Sequence, residues 1–376
     1  VLYLDHAATS PVRPEVLEAM LPFLTGVFGN PSSHHTVGEA AAGALDDARR
    51  RVARVLGMRP GDVVFTGGGT EANNLAVKGI VLGSRRRHLV VSPIEHESIL
   101  ESADYLRRLH GVEVTPLAVD TAGRITPDAV AAAIRPDTAL VALGHANNEI
   151  GTVQDIAAIS AVTTGAAVPL HVDAVQSAGW LPLDGLGADA IAVAGHKLGA
   201  PKGIGALAVR GRIPLEPLLH GGGQERGRRS GTENVAGAVA LATALELAAA
   251  ERADVAALVG ALTRDFIAGV LDTVPQAALT GDPAHRLPGT ASFTFAGVSG
   301  EAVLLELERR GVVSSSGSAC AAGSDEPSHV LLACAVPPET AQSSVRFTFG
   351  RERLPDDTAV RLSALVAESV RAVSGL

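Results

Sequence analysis

Val168-Pro169-Leu170-His171-Val172-Asp173-Ala174-Val175-Gln176 is followed by Ala190-Ile191-Ala192-Val193-Ala194-Gly195-His196-Lys197. In each stretch a short apolar run ends directly on a chemically active side chain, an acid in the first and a lysine in the second. Runs this short, bounded by turn-forming residues, read as buried strands. In open α/β sheets, ligands bind beyond the carboxyl ends of the strands. Asp173 and Lys197 are therefore expected side by side at one sheet edge. Alone, Asp173 could be a helix cap, and a lysine in a Gly-rich turn could be solvated or hold a phosphate. Neither plain reading explains why both occur at consecutive strand ends.

Outward from these runs, strand and helix patterns alternate. Residues 38–56 read as a helix, 62–66 as a strand broken by Gly67-Gly68-Gly69, with a helix from Thr70. His88 to Val91, Val112 to Leu117, Thr138 to Leu143 and Gly205 to Val209 are further strands, with a helix over 97–109. Such alternation predicts an α/β fold with a mostly parallel central sheet flanked by helices. After Gly231 the pattern changes. A long Ala/Leu-rich helix over about 233–271 leads to a smaller α+β unit with strands at 290–295 and 344–348 and a closing helix over 356–373. We expect a large domain over 14–250 and a small one built from 1–13 and 251–376.

The 376 residues suit a large domain plus a smaller one. Aromatics are scarce, so Ala, Val, Leu and Ile are expected to do most of the packing. No run is a convincing membrane span, and Val1 to Ser10 lacks the pattern of a signal peptide. A net charge of −9 argues against nucleic acid as a direct partner. Two cysteines, Cys320 and Cys334, make no disulfide framework, so a reducing cytoplasm is expected. Only Lys78, Lys197 and Lys202 are lysines among 31 basic side chains. Where Arg is so favoured, a retained Lys points to a task that needs an amine. Lys can lose its proton and form an imine, which Arg cannot.

A pyridoxal ring accounts for both strand ends: Lys197 as the amine that bonds it, and Asp173 as the carboxylate that keeps its nitrogen protonated and the ring an electron sink. Thr66-Gly67-Gly68-Gly69-Thr70 adds a strand-to-helix turn whose amides suit a phosphate. Several further blocks carry a resemblance. Leu4-Asp5-His6-Ala7-Ala8-Thr9, Gly29-Asn30-Pro31-Ser32-Ser33, Ala146-Asn147-Asn148-Glu149-Ile150-Gly151, Gly195-His196-Lys197, Arg229-Ser230-Gly231-Thr232 and Ser315-Ser316-Gly317-Ser318-Ala319-Cys320 together resemble the cysteine desulfurases. These are pyridoxal-phosphate transferases of fold type I in the class V aminotransferase group. The match runs through the whole chain in order. It looks like the subgroup that serves iron–sulfur cluster assembly.

The resemblance implies a role for each residue. Lys197 would bond pyridoxal 5'-phosphate and move the substrate α-proton. His96 would stack on the ring and shuttle a proton. Asp173 would pair with the ring nitrogen, and Gln176 and Asn148 with the phenolic oxygen. Gly69, Thr70 and His196 would hold the phosphate, joined by Thr232 from the second subunit of a homodimer. Asn148 and Arg346 would bind the substrate L-cysteine, Arg346 by its carboxylate. Cys320 would take the sulfur as a persulfide, leaving L-alanine, and pass it to acceptors such as an iron–sulfur scaffold or a tRNA-thiolation protein. No intrinsic metal site is expected, although Cys320 could serve as a transient iron–sulfur ligand with a scaffold. Its Ser/Gly/Ala surroundings, about 314–326, predict a mobile loop, whereas Cys334 sits in an apolar pattern and reads as core. A selenocysteine lyase or cysteine sulfinate desulfinase on the same scaffold is the alternative. One departure is Ala194, where relatives usually carry Ser or Thr that bonds the phosphate.

Overall fold

Seven short strands meet in one sheet, six of them buried and the edge strand Glu113–Pro116 half-exposed. The computed structural model describes residues 1–316 and 326–375. The strands are β1 (Val63–Thr66), β2 (His88–Val91), β3 (Glu113–Pro116), β4 (Thr138–Gly144), β5 (Leu170–Asp173), β6 (Ala190–Ala194) and β7 (Gly205–Val209). Their order is β1-β7-β6-β5-β4-β2-β3. All neighbours pair in parallel except β7, which is antiparallel to both β1 and β6. The reversal follows from chain length. A parallel return needs a crossover of a dozen or more residues, usually with a helix. Only Gly195 to Ile204 separate β6 from β7, and they form a turn.

Both faces of the sheet are covered, which is why β6 is buried at every position and does not alternate. Helix α1 (Thr36–Val55) packs on one face through Leu45 and Val52. Helices α2 (Gly69–Gly83) and α3 (Glu97–His110) cover the other through Leu75, Ile80, Ile99 and Leu106. Local signals set the ends of α3. The His96 side chain accepts a hydrogen bond from the Ser98 amide at its start, and Gly111 closes it at φ 63°.

Helix α4 (Val235–Thr273) has 39 residues and serves two cores. Its first half is buried almost all round, through Leu241 and Leu245, beside α1. Its second half packs against an antiparallel sheet of β8 (Ala277–Leu279), β9 (Thr290–Phe295) and β10 (Val345–Thr348), and against α5 (Thr358–Ser374). Here the scarce aromatics are concentrated. Phe266 meets Phe347, Phe349 and Phe293 edge to face, with centroids 5.1, 5.7 and 5.9 Å away. Such pairs add to what area burial alone contributes. The aliphatic packing expected from composition thus describes the large sheet but not this second core.

The N-terminus is tied to the second core. Leu2–Tyr3 pairs in parallel with Val312–Val313, and Asp5 bridges to Thr348. From there Ala7 to Thr9 cross to the edge of the large sheet. Among the described residues, no helix is long and apolar enough to cross a membrane.

Candidate active site

The carboxyl ends of β1, β4, β5 and β6 open into a cleft of about 990 Å³. Gly69, Thr70, His96, Asn148, Asp173 and Gln176 border it, as do His196 and Lys197. Eight of the residues singled out from the sequence are therefore brought together. Thr232 is exposed and is not among the residues that border the cleft of its own chain. Arg346 lies one residue behind the cleft wall. Cys320, with any iron–sulfur role it would have, lies outside the described residues.

Lys197 closes the turn Gly195–Lys197 that stops β6. Its Nζ donates to the Ala7 carbonyl and, at 2.8 Å, to the Ala8 carbonyl. The Gln176 amide also donates to the Ala7 carbonyl, at 3.0 Å. The N-terminal crossing segment thus orients both side chains. His196 points its Nδ1 at the Thr9 hydroxyl, 3.2 Å away. Burial, with the neighbouring charges of Lys197 and Lys202, pushes the His196 imidazole down to about 4, so the ring is neutral at pH 7.

Asp173 terminates β5. Its Oδ1 accepts the Val175 amide at 2.9 Å, and its Oδ2 accepts Asn73 Nδ2 at 2.6 Å. No helix follows, so Asp173 is not a helix cap; one oxygen shapes a turn while the carboxylate borders the cleft. Asn148 is presented by its neighbour. Asn147 donates to the Ile94 carbonyl and accepts the amides of Glu149 and Ile150, which fixes the turn.

The start of α2 supplies an anion site. First-turn amides have no partner within a helix, and the helix dipole adds positive potential. Close approach requires glycine here: a Cβ on Gly69 would lie 2.8 Å from Val175 Cγ2 and 3.2 Å from the Ala194 Cβ. Ala194 thus packs its methyl against the phosphate-type turn and offers no hydroxyl. Glu71 steadies the turn by accepting the Gly67 amide at 2.7 Å while pairing with Arg229 at 2.9 Å.

Arg346, on β10, is 3% exposed. It donates to the Asn148 carbonyl at 2.9 Å and pairs with Asp5 at 2.7 Å. Residue-type reasoning overlooked two carboxylates. Glu95 borders the cleft, and burial, reinforced by the charge of Asp173, pushes it up to about 8. Glu149 is buried against the Ser328 hydroxyl at 2.5 Å and is also raised by burial. Both stand beside recognised residues, Glu95 before His96 and Glu149 after Asn148, and that adjacency was the available signal. Cys334 is buried with Ile94, Ile150 and Leu331, and its thiol is pushed up to about 11 by burial, as an inert core cysteine should be.

An amine at a strand end, a carboxylate on the next strand, a neutral imidazole and a helix N-terminus around one cleft fit pyridoxal phosphate. The cleft has space for it, and each polar part of the molecule meets a suitable group. Fold and site together define a fold type I pyridoxal-phosphate enzyme. Comparison with known proteins agrees. The aminotransferase class-V family model matches residues 2–358. A cysteine desulfurase IscS of Dictyoglomus turgidum is 42% identical over 379 residues, covering 99% of this chain and 96% of its own. A solved structure described as a NifS-like protein superimposes with a TM-score of 0.91 at 32% identity, covering all of both chains. Another, described as SspA in complex with cysteine, has a TM-score of 0.81 at 35% identity, covering 94% of this chain and all of its own. The chain belongs to the cysteine desulfurase family of class-V aminotransferases, whose members depend on pyridoxal phosphate.

Proposed function

We propose that this chain removes the sulfur of L-cysteine, leaving L-alanine, and carries it as a persulfide on Cys320. The convergence of Lys197, Asp173 and neutral His196 on one cleft supports the reading most directly. Bound pyridoxal phosphate would supply an electron sink for the α-carbon. Lys197 would hold it by its amine and then move the α-proton. Asp173 would bond the ring nitrogen, and Gln176 and Asn148 the phenolic oxygen. The phosphate would rest on Gly69, Thr70 and His196, with Thr232 supplied by a second subunit. Arg229, held by Glu71, anchors the segment that would deliver Thr232 across a homodimer interface.

Arg346 would take the substrate carboxylate by a charge-assisted contact, and Asn148 would flank it. The Cys320 thiolate would attack the substrate sulfur. The S–S bond forms as the C–S bond breaks, and the electron pair left on carbon ends as the C–H bond of alanine. An acceptor thiol would then receive the sulfur. An iron–sulfur scaffold or a tRNA-thiolation protein fits that need, in the cytoplasm. We also propose the division into a large unit, 14–250, and a small one, 1–13 with 251–376.

The test compares Cys320→Ser with Cys334→Ser, reading alanine by amount and persulfide by mass. Cys320→Ser should bind cofactor normally and form almost no persulfide, because a hydroxyl is a poor attacker of sulfur. Cys334→Ser should turn over like the parent. A persulfide on Cys334, or full desulfuration by Cys320→Ser, overturns the reading. Alanine formed from selenocysteine or cysteine sulfinate but not from cysteine would favour the alternative activity.

A further inference from the structure

Two buried polar side chains, Asn73 and Ser98, join Asp173 to His96. Asn73, on the first turns of α2, is 2% exposed. Its Nδ2 donates to Asp173 Oδ2 at 2.6 Å and to Ser98 Oγ at 2.9 Å. Its Oδ1 lies 3.0 Å from His171 Nε2. A carboxylate only accepts, so the amide cannot turn its oxygen toward Asp173. The amide orientation is therefore determined, and His171 must carry its proton on Nε2. Its buried, depressed imidazole is neutral, which suits that assignment.

The consequence passes to Ser98. Its hydroxyl oxygen receives the Asn73 donor, which leaves its own proton to give. His96 Nδ1 lies 2.9 Å from that oxygen. The same Nδ1 accepts the Ser98 backbone amide at 3.0 Å. Two donors aimed at one nitrogen leave no place for a proton on it. In its neutral form His96 therefore carries the proton on Nε2, the other ring nitrogen, in a ring that borders the cleft.

We infer that Asn73 is a positioning residue that orients the Asp173 carboxylate and, through the Ser98 hydroxyl, aims a second donor at His96 Nδ1 beside the Ser98 backbone amide. The inference rests on the reading of Asp173 and His96 as cofactor-facing groups. One side-chain amide then orients the partner of the ring nitrogen and adds to the hold on the stacking histidine. Neither Asn73 nor Ser98 needs to touch cofactor or substrate to do this. Glu95 and Lys197 border the cleft with His96, and Glu97, Glu149, Glu326 and His329 lie on its other side.

The test reads the imidazole nitrogens of His96 by NMR in the full chain without cofactor, labelled with ¹⁵N-histidine and assigned through His96→Gln. The parent should show an unprotonated Nδ1 and a protonated Nε2. Asn73→Leu removes the donor to Ser98, so the hydroxyl can turn away from His96. The Ser98 amide still donates to Nδ1, so His96 should stay protonated on Nε2 while its ring-nitrogen signals move with loss of the second donor, although residue 73 does not touch His96. Ser98→Ala should shift them too, and adding Asn73→Leu to it should produce no further shift. In the loaded enzyme, Asn73→Leu should lower kcat about tenfold, a part of the roughly 10²–10⁴ that a positioned acid–base group supplies, with KM for cysteine nearly unchanged. A protonated Nδ1 in the parent overturns the inference, as do His96 signals that ignore Asn73→Leu. Should Asn73→Leu not fold, the parent and Ser98→Ala spectra still decide. Cofactor absorbance that persists in Lys197→Ala would remove the reading of the cleft, while the nitrogen spectra would still uphold the tautomer.

Discussion

Lys197 and Lys202 both border the cleft, yet only Lys197 is held by the carbonyls of Ala7 and Ala8 at the end of β6. Lys197→Ala should abolish the visible absorbance of bound cofactor, and Lys202→Ala should keep most of it. Equal loss in both would mean that Lys197 is not the amine that bonds the cofactor, or that both lysines are needed. Arg346 poses a different question, because its guanidinium is already engaged by Asp5 and the Asn148 carbonyl. A substrate carboxylate must share it with Asp5. Arg346→Ala should raise KM for cysteine about ten- to a hundredfold, the scale of a hydrogen bond to a charged group at roughly 1.5–3 kcal/mol. Cofactor affinity, measured by titration, should change far less. A parallel fall in cofactor affinity would make Arg346 a structural residue. Asp5 itself was visible only as part of a recognised block, because its partner is 341 positions away in sequence.

At the scale of elements, the inner strands of the large sheet were legible because burial on both faces leaves largely apolar runs. His88–Val91 and Gly205–Val209 have the ends expected from sequence. The direction of Gly205–Val209 could have been inferred too, from the short turn before it. The helices Pro127–Ala133 and Ile156–Gly165 were not legible. The second is apolar nearly throughout, so no polar face marks its period. Residues of the cleft could be read where the chemistry is peculiar to the residue type, as for Lys197 and Asp173. Asn73, Ser98 and Glu95 acquire meaning only from what the fold sets against them. Phe266 is the clearest single support of the second core. Phe266→Ala should cost roughly 3–5 kcal/mol in denaturant unfolding. Because Phe347 beside it follows Arg346 on β10, KM for cysteine should rise while cofactor stays bound. A loss below about 1 kcal/mol would mean that the core closes over the gap.

At the scale of the whole molecule, pH acts through a few buried groups. Glu95 rises from an ordinary 4.5 to about 8. Between those values the folded chain holds a proton that the unfolded chain releases, so stability falls as pH rises. His145 and His171 are depressed to about 4 by burial and act in the opposite sense. Their contribution is present above the ordinary histidine value of about 6.5 and fades as pH falls toward 4. The window from about 6.5 to 8 therefore isolates the carboxylates. The cofactor-free chain should lose thermal stability across that window, and Glu95→Gln should lose less. Identical slopes would mean that Glu95 is ionised throughout. One feature unites the molecule mechanically. Helix α4, about 58 Å long at 1.5 Å per residue, is built into both cores. Folding it in the middle would break its own hydrogen bonds, so it acts as a beam and not as a hinge. The cleft and the Phe core are thereby held at a set span, and the contacts of Arg346 with Asn148 and Asp5 fasten the same span at its near end.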